Sequence, residues 1–529
     1  MPRRLHRDQG GVAMITVMLL VVVLTLLMVA AVSYAVGSQP LSRRDQDWNA
    51  ALAAAQAGVD DYLYRLQQND TYYLYSSTNP PTPANPAFTG WQAIPGPANA
   101  GQFHYDVSLA QFPSQGTVQL TSTGRVRGVT RTIRANLRRR NFLDYLYFTN
   151  FESLDPQSGY YPDPATAAAV CDRYWYAGRP SNPCVRISFT SGDVIDGPLH
   201  SNDQLSVMGS PTFNGVVTTA WTGTMACPPT AGFNYRWNGI NGCADTPNFQ
   251  PGDPAVAPIL TLPPSNTALK TETDAGVGKT GCLFTGPTRI TLNSNGTMTV
   301  DSPFTPTTGR NCAPTGTMPL PANGVVYVES VPAGQTSPNP VCPAGENPIG
   351  YPIPADVTTY GCRDGDAFVS GTLRGQLTIG TENNVVVVAN TTYQTSGPAS
   401  SDMLGLVANN FVQVYHPVDN DGQNLTDNRN PTNTFTNPRI DAAILALNHS
   451  FIVQNYAEGA QLGTLQINGV IAQQWRGPVG TSGGTGYLKD YNYDTRLQYQ
   501  SPPHALDLAQ AAFRLKLWSE IQAPAGLPP

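Results

Sequence analysis

Several short runs bring chemically capable side chains close together. Asp193, Asp196, His200 and Asp203 fall within one stretch of strand-and-turn sequence and could supply the acid and base groups of a polysaccharide-active β-helix enzyme. The spacing suits turns equally well, because Asp and Asn hydrogen-bond to nearby backbone wherever a chain bends. Ala275–Gly281, AGVGKTG, carries the glycines, the lysine (Lys279) and the hydroxyl (Thr280) of a phosphate-cradling loop. The first glycine of that motif would fall at Thr273, however, and no apolar strand precedes it. Gly480–Gly484, GTSGG, satisfies GxSxG around Ser482, but a nucleophile elbow needs a strand before it and a helix after it. A loop explains the run better. No catalytic residue is assigned, and the chain is read as a non-enzyme.

Metal and sulfur chemistry give one weak and one strong signal. In DNDGQNLTD, Asp419, Asp421 and Asp427 occupy positions one, three and nine of an EF-hand-like loop, with Gly422 at the bend. Calcium needs several oxygens together. Gln423 at position five and Pro431 at position twelve depart from that pattern, so calcium stands against a plain polar insertion, and no other cofactor is expected. Zinc is disfavoured: there is no CxxC, and His6, His104, His200, His416, His449 and His504 are scattered singly. The eight cysteines all lie between Cys171 and Cys362 and suggest four disulfides. Neighbouring pairs are preferred, Cys171–Cys184, Cys227–Cys243, Cys282–Cys312 and Cys342–Cys362, although eight cysteines allow 105 connectivities. Disulfides persist outside the cytosol, so this part of the chain is expected to be exported.

Elements that could carry such a head follow from composition and pattern. With 49 Gly and 47 Pro in 529 residues, and 12% charged residues against an ordinary ~25%, the chain reads as loop-rich β structure. A net charge of −6 leaves no basic excess for phosphate contacts, which argues against nucleic acid. Arg3, Arg4 and Arg7 precede an uncharged run from Val12 to Val36. As a helix that run spans about 37 Å, enough for a bilayer core. The arginines place the amino terminus inside and the bulk of the chain outside, with Arg43 and Arg44 opposing weakly. A cleaved secretory peptide is the rival, but its apolar region is ordinarily about 7–15 residues. Beyond the run, Trp48, Leu52, Ala55, Val59, Tyr62 or Leu63, and Leu66 recur at helical spacing, so one long helix is predicted, kinked near Pro40.

A basic leader ending in Gly11, followed by VAMITVMLLVVVLTLLMVAAV and then an amphipathic helix, resembles type IV pilins and type II secretion pseudopilins. The segment looks closest to the amino terminus of PilX-type minor pilins. That resemblance implies cleavage by a prepilin peptidase between Gly11 and Val12, N-methylation of Val12, and packing of the helix against other pilin or pseudopilin subunits. It departs from the family at mature position five, where most pilins have glutamate and this chain has Thr16. Loss of that carboxylate is similar to the tip pseudopilin GspK. A subunit lacking it should not be the repeating one.

The fold class expected is therefore mainly β with a long N-terminal α-helix. Residues 1–11 are read as a cytoplasmic leader and 12–36 as a single-pass transmembrane helix. A pilin-like amphipathic helix with a small antiparallel sheet follows at 37–140, its strands running through FHYDVSLAQF, TVQLTSTGRVRG and VTRTIRANLRRR. Arg138, Arg139 and Arg140 are read as a solvated strand edge. A disulfide-containing loop-rich β region is placed at 141–367. At 368–529, Asn390, Asn409, Asn448 and Asn468 recur at intervals of 19, 39 and 20 residues, which suggests coils of a parallel β-helix, with a β-sandwich as the alternative. Asn in the left-handed conformation is expected at the bends. AQAAFRLKLW is expected to cap the solenoid. The function read from this is an accessory pilus or secretion-filament subunit with a large exported head. A membrane-anchored surface adhesin is the main alternative, and a polysaccharide-active enzyme a remote one.

Overall fold

A computed structural model describes residues 10–69, 71–96, 100–112, 117–139, 142–175, 179–222, 245–352, 360–419, 421–425, 436–498, 500–506 and 513–528. The chain forms two compact units, residues 1–108, 118–137 and 517–529 in the first, 109–117 and 138–516 in the second.

The first unit is built on one helix, α1 (Gly10–Gln68), which runs through Pro40 as helix. Its later half buries Ala51, Ala54, Ala55, Val59, Tyr62 and Leu66, so of the expected stripe Ala55, Val59, Tyr62 and Leu66 face the core, while Leu52 is half-buried and Trp48 exposed. That stripe lies on an antiparallel sheet of Gln102–Ser108, Thr117–Val126 and Val129–Arg139. Close approach is set by two glycines. A Cβ on Gly124 would run into the backbone of Ala51 and Ala55, and one on Gly58 into Ser122 Oγ. Ser122 Oγ donates to Ala55 O at 2.8 Å across the same contact. Edge-to-face rings of Tyr62, Tyr72, Phe88 and Tyr105 close the lower end of the stripe. The C-terminal stretch expected to cap the solenoid is instead a strand, Phe513–Ile521, added to this sheet beside Val129–Arg139. Alternation in FRLKLWSEI suits a strand as well as a helix, and pairing with an open sheet edge decides it.

The second unit is a parallel β-helix. Its longest column runs Cys282–Thr285, Val325–Glu329, Gln376–Thr381, Met403–Ala408, Arg439–Ala446, Thr464–Arg476, Tyr147–Leu154, Leu199–Ser201, Val217–Thr219 and Ala255–Val256, each strand parallel to the next. These parallel ladders distinguish the solenoid from the sandwich. Cα partners along the column place Cys282, Val326, Ile379, Leu406, Ile444, Ile471, Tyr147, Leu199 and Val217 in one buried row. A second row joins Ile440, Ile467, Tyr491, Ile195, Phe213 and Phe249 on another face. Thr288–Asn293, Thr297–Asp301 and Thr315–Pro319 form an antiparallel meander beside the Cys282 end.

Stacking order is not chain order. Coils from the first part of the unit, 147–256, pile onto the last coil, 464–493, and the chain then crosses to the opposite end to begin again at Cys282. The column has nine successive pairings, about 43 Å at ~4.8 Å each, which residues 257–281 must cover. Asparagines pin this crossing to the flank. Asn202 exchanges hydrogen bonds with Leu260 N–H (2.9 Å) and Leu260 O (2.6 Å). Asn266 donates to Thr381 O (2.8 Å) and Val407 O (3.0 Å), and its N–H donates to Asn409 Oδ1. The expected boundary between 141–367 and 368–529 is therefore absent: both regions share one stack and one core.

The recurring asparagines have mixed roles. Asn409 and Asn448 follow strands on neighbouring coils, with Asn448 N–H donating to Asn409 O at 2.9 Å. Asn390 and Asn468 lie within long strands that turn from one face to the next. None of the four is left-handed. That conformation falls to Asn437 and Asn455. At the Asn468 bend it is Gly469 that admits the neighbouring coil, since a Cβ there would strike Ala442 O. Ile471 sits at the middle of the buried row, so Ile471→Ala should lower the unfolding free energy of the head by about 2–5 kcal/mol, read by chemical denaturation.

Candidate functional site: an exposed stem and a sealed head

Ala13–Gly37 has a mean hydropathy of 3.0 and no part of it is buried. Twenty-five residues with exposed Leu, Val, Ile and Met are strongly unfavourable in water, at about 25 cal/mol per Å² of apolar surface. The run is thus suited to a bilayer or to packing among like helices. Two of its four hydroxyl residues, Thr16 and Thr25, do not interrupt this. Thr16 Oγ1 donates to Ala13 O at 2.9 Å, and Thr25 Oγ1 lies 2.9 Å from Val21 O and 2.8 Å from Val22 O. Such back-bonding returns the polar atom to the helix and leaves the outer surface apolar. Gly11 and Val12 are part of the helical backbone.

The residues that looked catalytic are held apart in the head. Asp203 is buried and accepts from Glu152 N–H (3.1 Å), Gln204 N–H (2.8 Å) and Arg179 Nη1 (3.0 Å). His200, also buried, contacts Thr218 Oγ1 at 2.9 Å and Asn202 Oδ1 at 3.0 Å and stacks on Phe148. Asp193 pairs with Lys489, while Asp196 is exposed at a strand end. These groups brace turns and coils; they do not converge on an open cleft. In the phosphate-loop-like run, Asp274 takes the Gly276 N–H and Glu272 takes Lys279 Nζ at 3.0 Å. Gly480–Thr481 pairs with Thr485–Gly486, so Ser482 sits at a hairpin tip rather than on a strand-to-helix elbow. A recess of about 470 Å³ over Asn295, Arg374, Thr395 and Asp402 contains one buried carboxylate, which is engaged by the N–H groups of Gly375 and Thr395. Arg138, expected at a solvated edge, is 2% exposed and donates to Gln500 O at 3.3 Å.

In the calcium candidate, Asp419 Oδ1 accepts the N–H groups of Asp421 (2.9 Å) and Gln423 (2.8 Å), a local turn of the kind Asp forms. Asp427 lies outside the described residues. Among the described residues, no three His, Cys, Asp or Glu side chains come together as a metal site. Disulfides join Cys171–Cys184, Cys282–Cys312 and Cys342–Cys362. Cys227 and Cys243 lie outside the described residues.

A cluster of buried charge lies at the seam where the last coil meets the first. Arg476 pairs with Glu152 at 2.6 Å, their side chains 1% and 2% exposed, and the guanidinium lies over the Phe189 ring. Gln473 Nε2 donates to Tyr147 OH at 2.7 Å. Asp155 accepts Ser450 Oγ at 2.7 Å and contacts His449 Nδ1 at 3.1 Å. Sequence reasoning missed this cluster. A usable signal was present: Glu152 and Arg476 each interrupt an otherwise uncharged strand pattern. A second internal acid, Asp366, stands at a corner of the stack. Its Oδ1 accepts Asn383 Nδ2 (2.8 Å) and Asn384 N–H (3.0 Å), and its Oδ2 has no partner among the described residues. Burial, aided by the Asp364 charge, pushes this carboxyl well above the usual range.

A family model described as a domain of unknown function (DUF4900) matches residues 104–227, a minor part of the chain. No curated protein matches the sequence. Among solved structures, the chain is similar to the competence-associated pilin ComZ from Thermus thermophilus, with 14% identity, 90% of this chain and 97% of that one covered, and a TM-score of 0.29. A likeness at that TM-score carries no argument for fold or role, and both rest on the geometry above.

Two substitutions test the internal ions. Glu152→Ala strands Arg476 in the core and should cost about 3–5 kcal/mol of stability, whereas Glu152→Leu with Arg476→Met should recover most of it. For Asp366 the sign follows from a raised folded-state pKa. Wild-type stability falls as pH rises from the unfolded carboxylate value, about 3.9, through the folded one, then levels. Asp366→Asn should therefore unfold at a higher temperature than wild type at neutral pH, with the difference vanishing as pH falls towards 4.

Proposed function

We propose that this chain is a minor pilin or pseudopilin-like subunit of a type IV pilus or related secretion filament. The observation that carries the reading is α1 itself: one continuous helix, apolar and uncovered over Ala13–Gly37, then seated by a narrow stripe on an antiparallel sheet. Such a helix can be held in a bilayer before assembly and packed among neighbouring stems afterwards. The amino terminus is placed inside, the head outside, and the membrane, the other stems and a prepilin peptidase are its partners. Thr16 brings no carboxylate to meet a neighbour's amino terminus, which favours a low-copy position over a repeating one. A head this large would also crowd a helical array if every subunit carried it. No catalytic step is needed for this role.

The test is mass spectrometry on filaments sheared from the native host. The expected peptide begins at Val12 and carries an N-methyl group, and Gly11→Val should abolish it, leaving the precursor unprocessed in the membrane. Intact Met1–Gly11 peptides in the membrane fraction, with none of the chain in filaments, would sink the proposal in favour of an anchored surface protein.

A further inference from the structure

We propose that Lys489 and Asp193 become joined by an isopeptide bond that locks the last coil of the solenoid to the first. Asp490 pairs with Val194 in the parallel ladder, so Lys489 and Asp193 stand opposite each other on adjacent strands. Lys489 faces inward, next to Leu465 on its other side, with its side chain 13% exposed; Asp193 is 1% exposed. Lys489 Nζ lies 2.8 Å from Asp193 Oδ2, and the Thr190 N–H donates to the same oxygen at 2.8 Å. Tyr491 is buried on the same strand as Lys489. Burial lowers the Lys489 pKa, partly countered by Asp193 and reinforced by the charge of Arg476. The environment thus weakens the hold of the Lys489 ammonium on its proton.

The atoms balance without an added reagent. One proton moves from the Lys489 ammonium to Asp193 Oδ2, the oxygen it contacts, and the freed Nζ lone pair attacks Cγ. The negative charge that develops on Oδ1 is met by the field of Arg476. A second proton passes from Nζ to Oδ2, which leaves as water while the Cγ–Oδ1 carbonyl reforms. The product is one amide, and the Lys489 charge is gone. The inference does not depend on filament membership.

Intact mass spectrometry of the purified, folded, full-length protein after reduction and denaturation decides the matter. Wild type should be one water lighter than its sequence, trypsin should fail to cut after Lys489, and one branched peptide should contain both residues. Lys489→Met and Asp193→Ala should each restore the full sequence mass. Wild type at full mass, with separate peptides covering Lys489 and Asp193, would overturn the proposal and leave a buried ion pair. That outcome is readable even if neither variant folds.

Discussion

The head depends on a junction that the chain can make only after it is nearly complete. A parallel β-helix normally grows by laying each coil on the one before, so local sequence order and stacking order agree. Here Tyr147–Leu154 must wait for Thr464–Arg476, and until then its inward side chains have no neighbour on that side. Apolar burial alone would not choose the partner, because the rows of Ile, Leu and Val on successive coils are nearly interchangeable. Charge supplies the choice. A coil slipped by one step would leave Arg476, Glu152, Lys489 and Asp193 buried without partners, a far larger penalty than a mismatched methyl group. The seam ions are thus best understood as selecting register, with stability coming from the apolar rows on either side.

Two solvents act on this molecule, and its two kinds of surface answer to them separately. The stem returns the Thr16 and Thr25 hydroxyls to its own carbonyls and offers a mainly apolar surface. The head does the reverse at its corners, where carboxylates and amides that point inward are spent on backbone and on each other. Asn266 shows the economy of this: Tyr327 OH donates to its Oδ1, and its Nδ2 donates to two carbonyls. A head so occupied with internal satisfaction has few polar groups left over for chemistry, which is why its clustered Asp and His residues are bracing rather than reactive.

Much of this was legible in the sequence. The uncharged run, the stripe from Trp48 to Leu66 and the alternation from Phe103 to Leu137 are local patterns, and local patterns report local structure. The asparagine intervals suggested coils without giving their length: ladder partners on successive coils are Thr381 with Ala408, Ala408 with Ala446, and Ile467 with Tyr491, so the circumference varies from coil to coil. Stacking order was not legible, since a period says that coils exist but not which pair meets. Strands of three residues, such as Val194–Asp196 and Leu199–Ser201, are too short for any period to show. The same shortness made Asp193, His200 and Asp203 look like a reactive cluster when they sit on different faces and corners of one coil and brace it. The C-terminal strand was missed for another reason: its pattern permits helix or strand, and a distant sheet edge makes the decision.

The permuted order also changes how the solenoid can come apart. In an ordinary repeat protein the end coils carry a free terminus and fray at little cost. Here both ends of the stack, Cys282–Thr285 and Ala255–Val256, are internal to the chain and joined to each other by the crossing at 257–281. A coil that peels from either end remains tethered on both sides, so it gains less entropy than a free tail would. The described disulfides reinforce local segments on their own side of the seam: Cys171–Cys184 staples the first coils, Cys282–Cys312 and Cys342–Cys362 the opposite arm, and none crosses the junction. Mechanical continuity between the two arms therefore rests on the strand ladders and apolar rows at the seam, together with Arg476 and Glu152, Lys489 and Asp193, and Asp155 with Ser450 and His449. This is where a pull on one arm would be transmitted to the other.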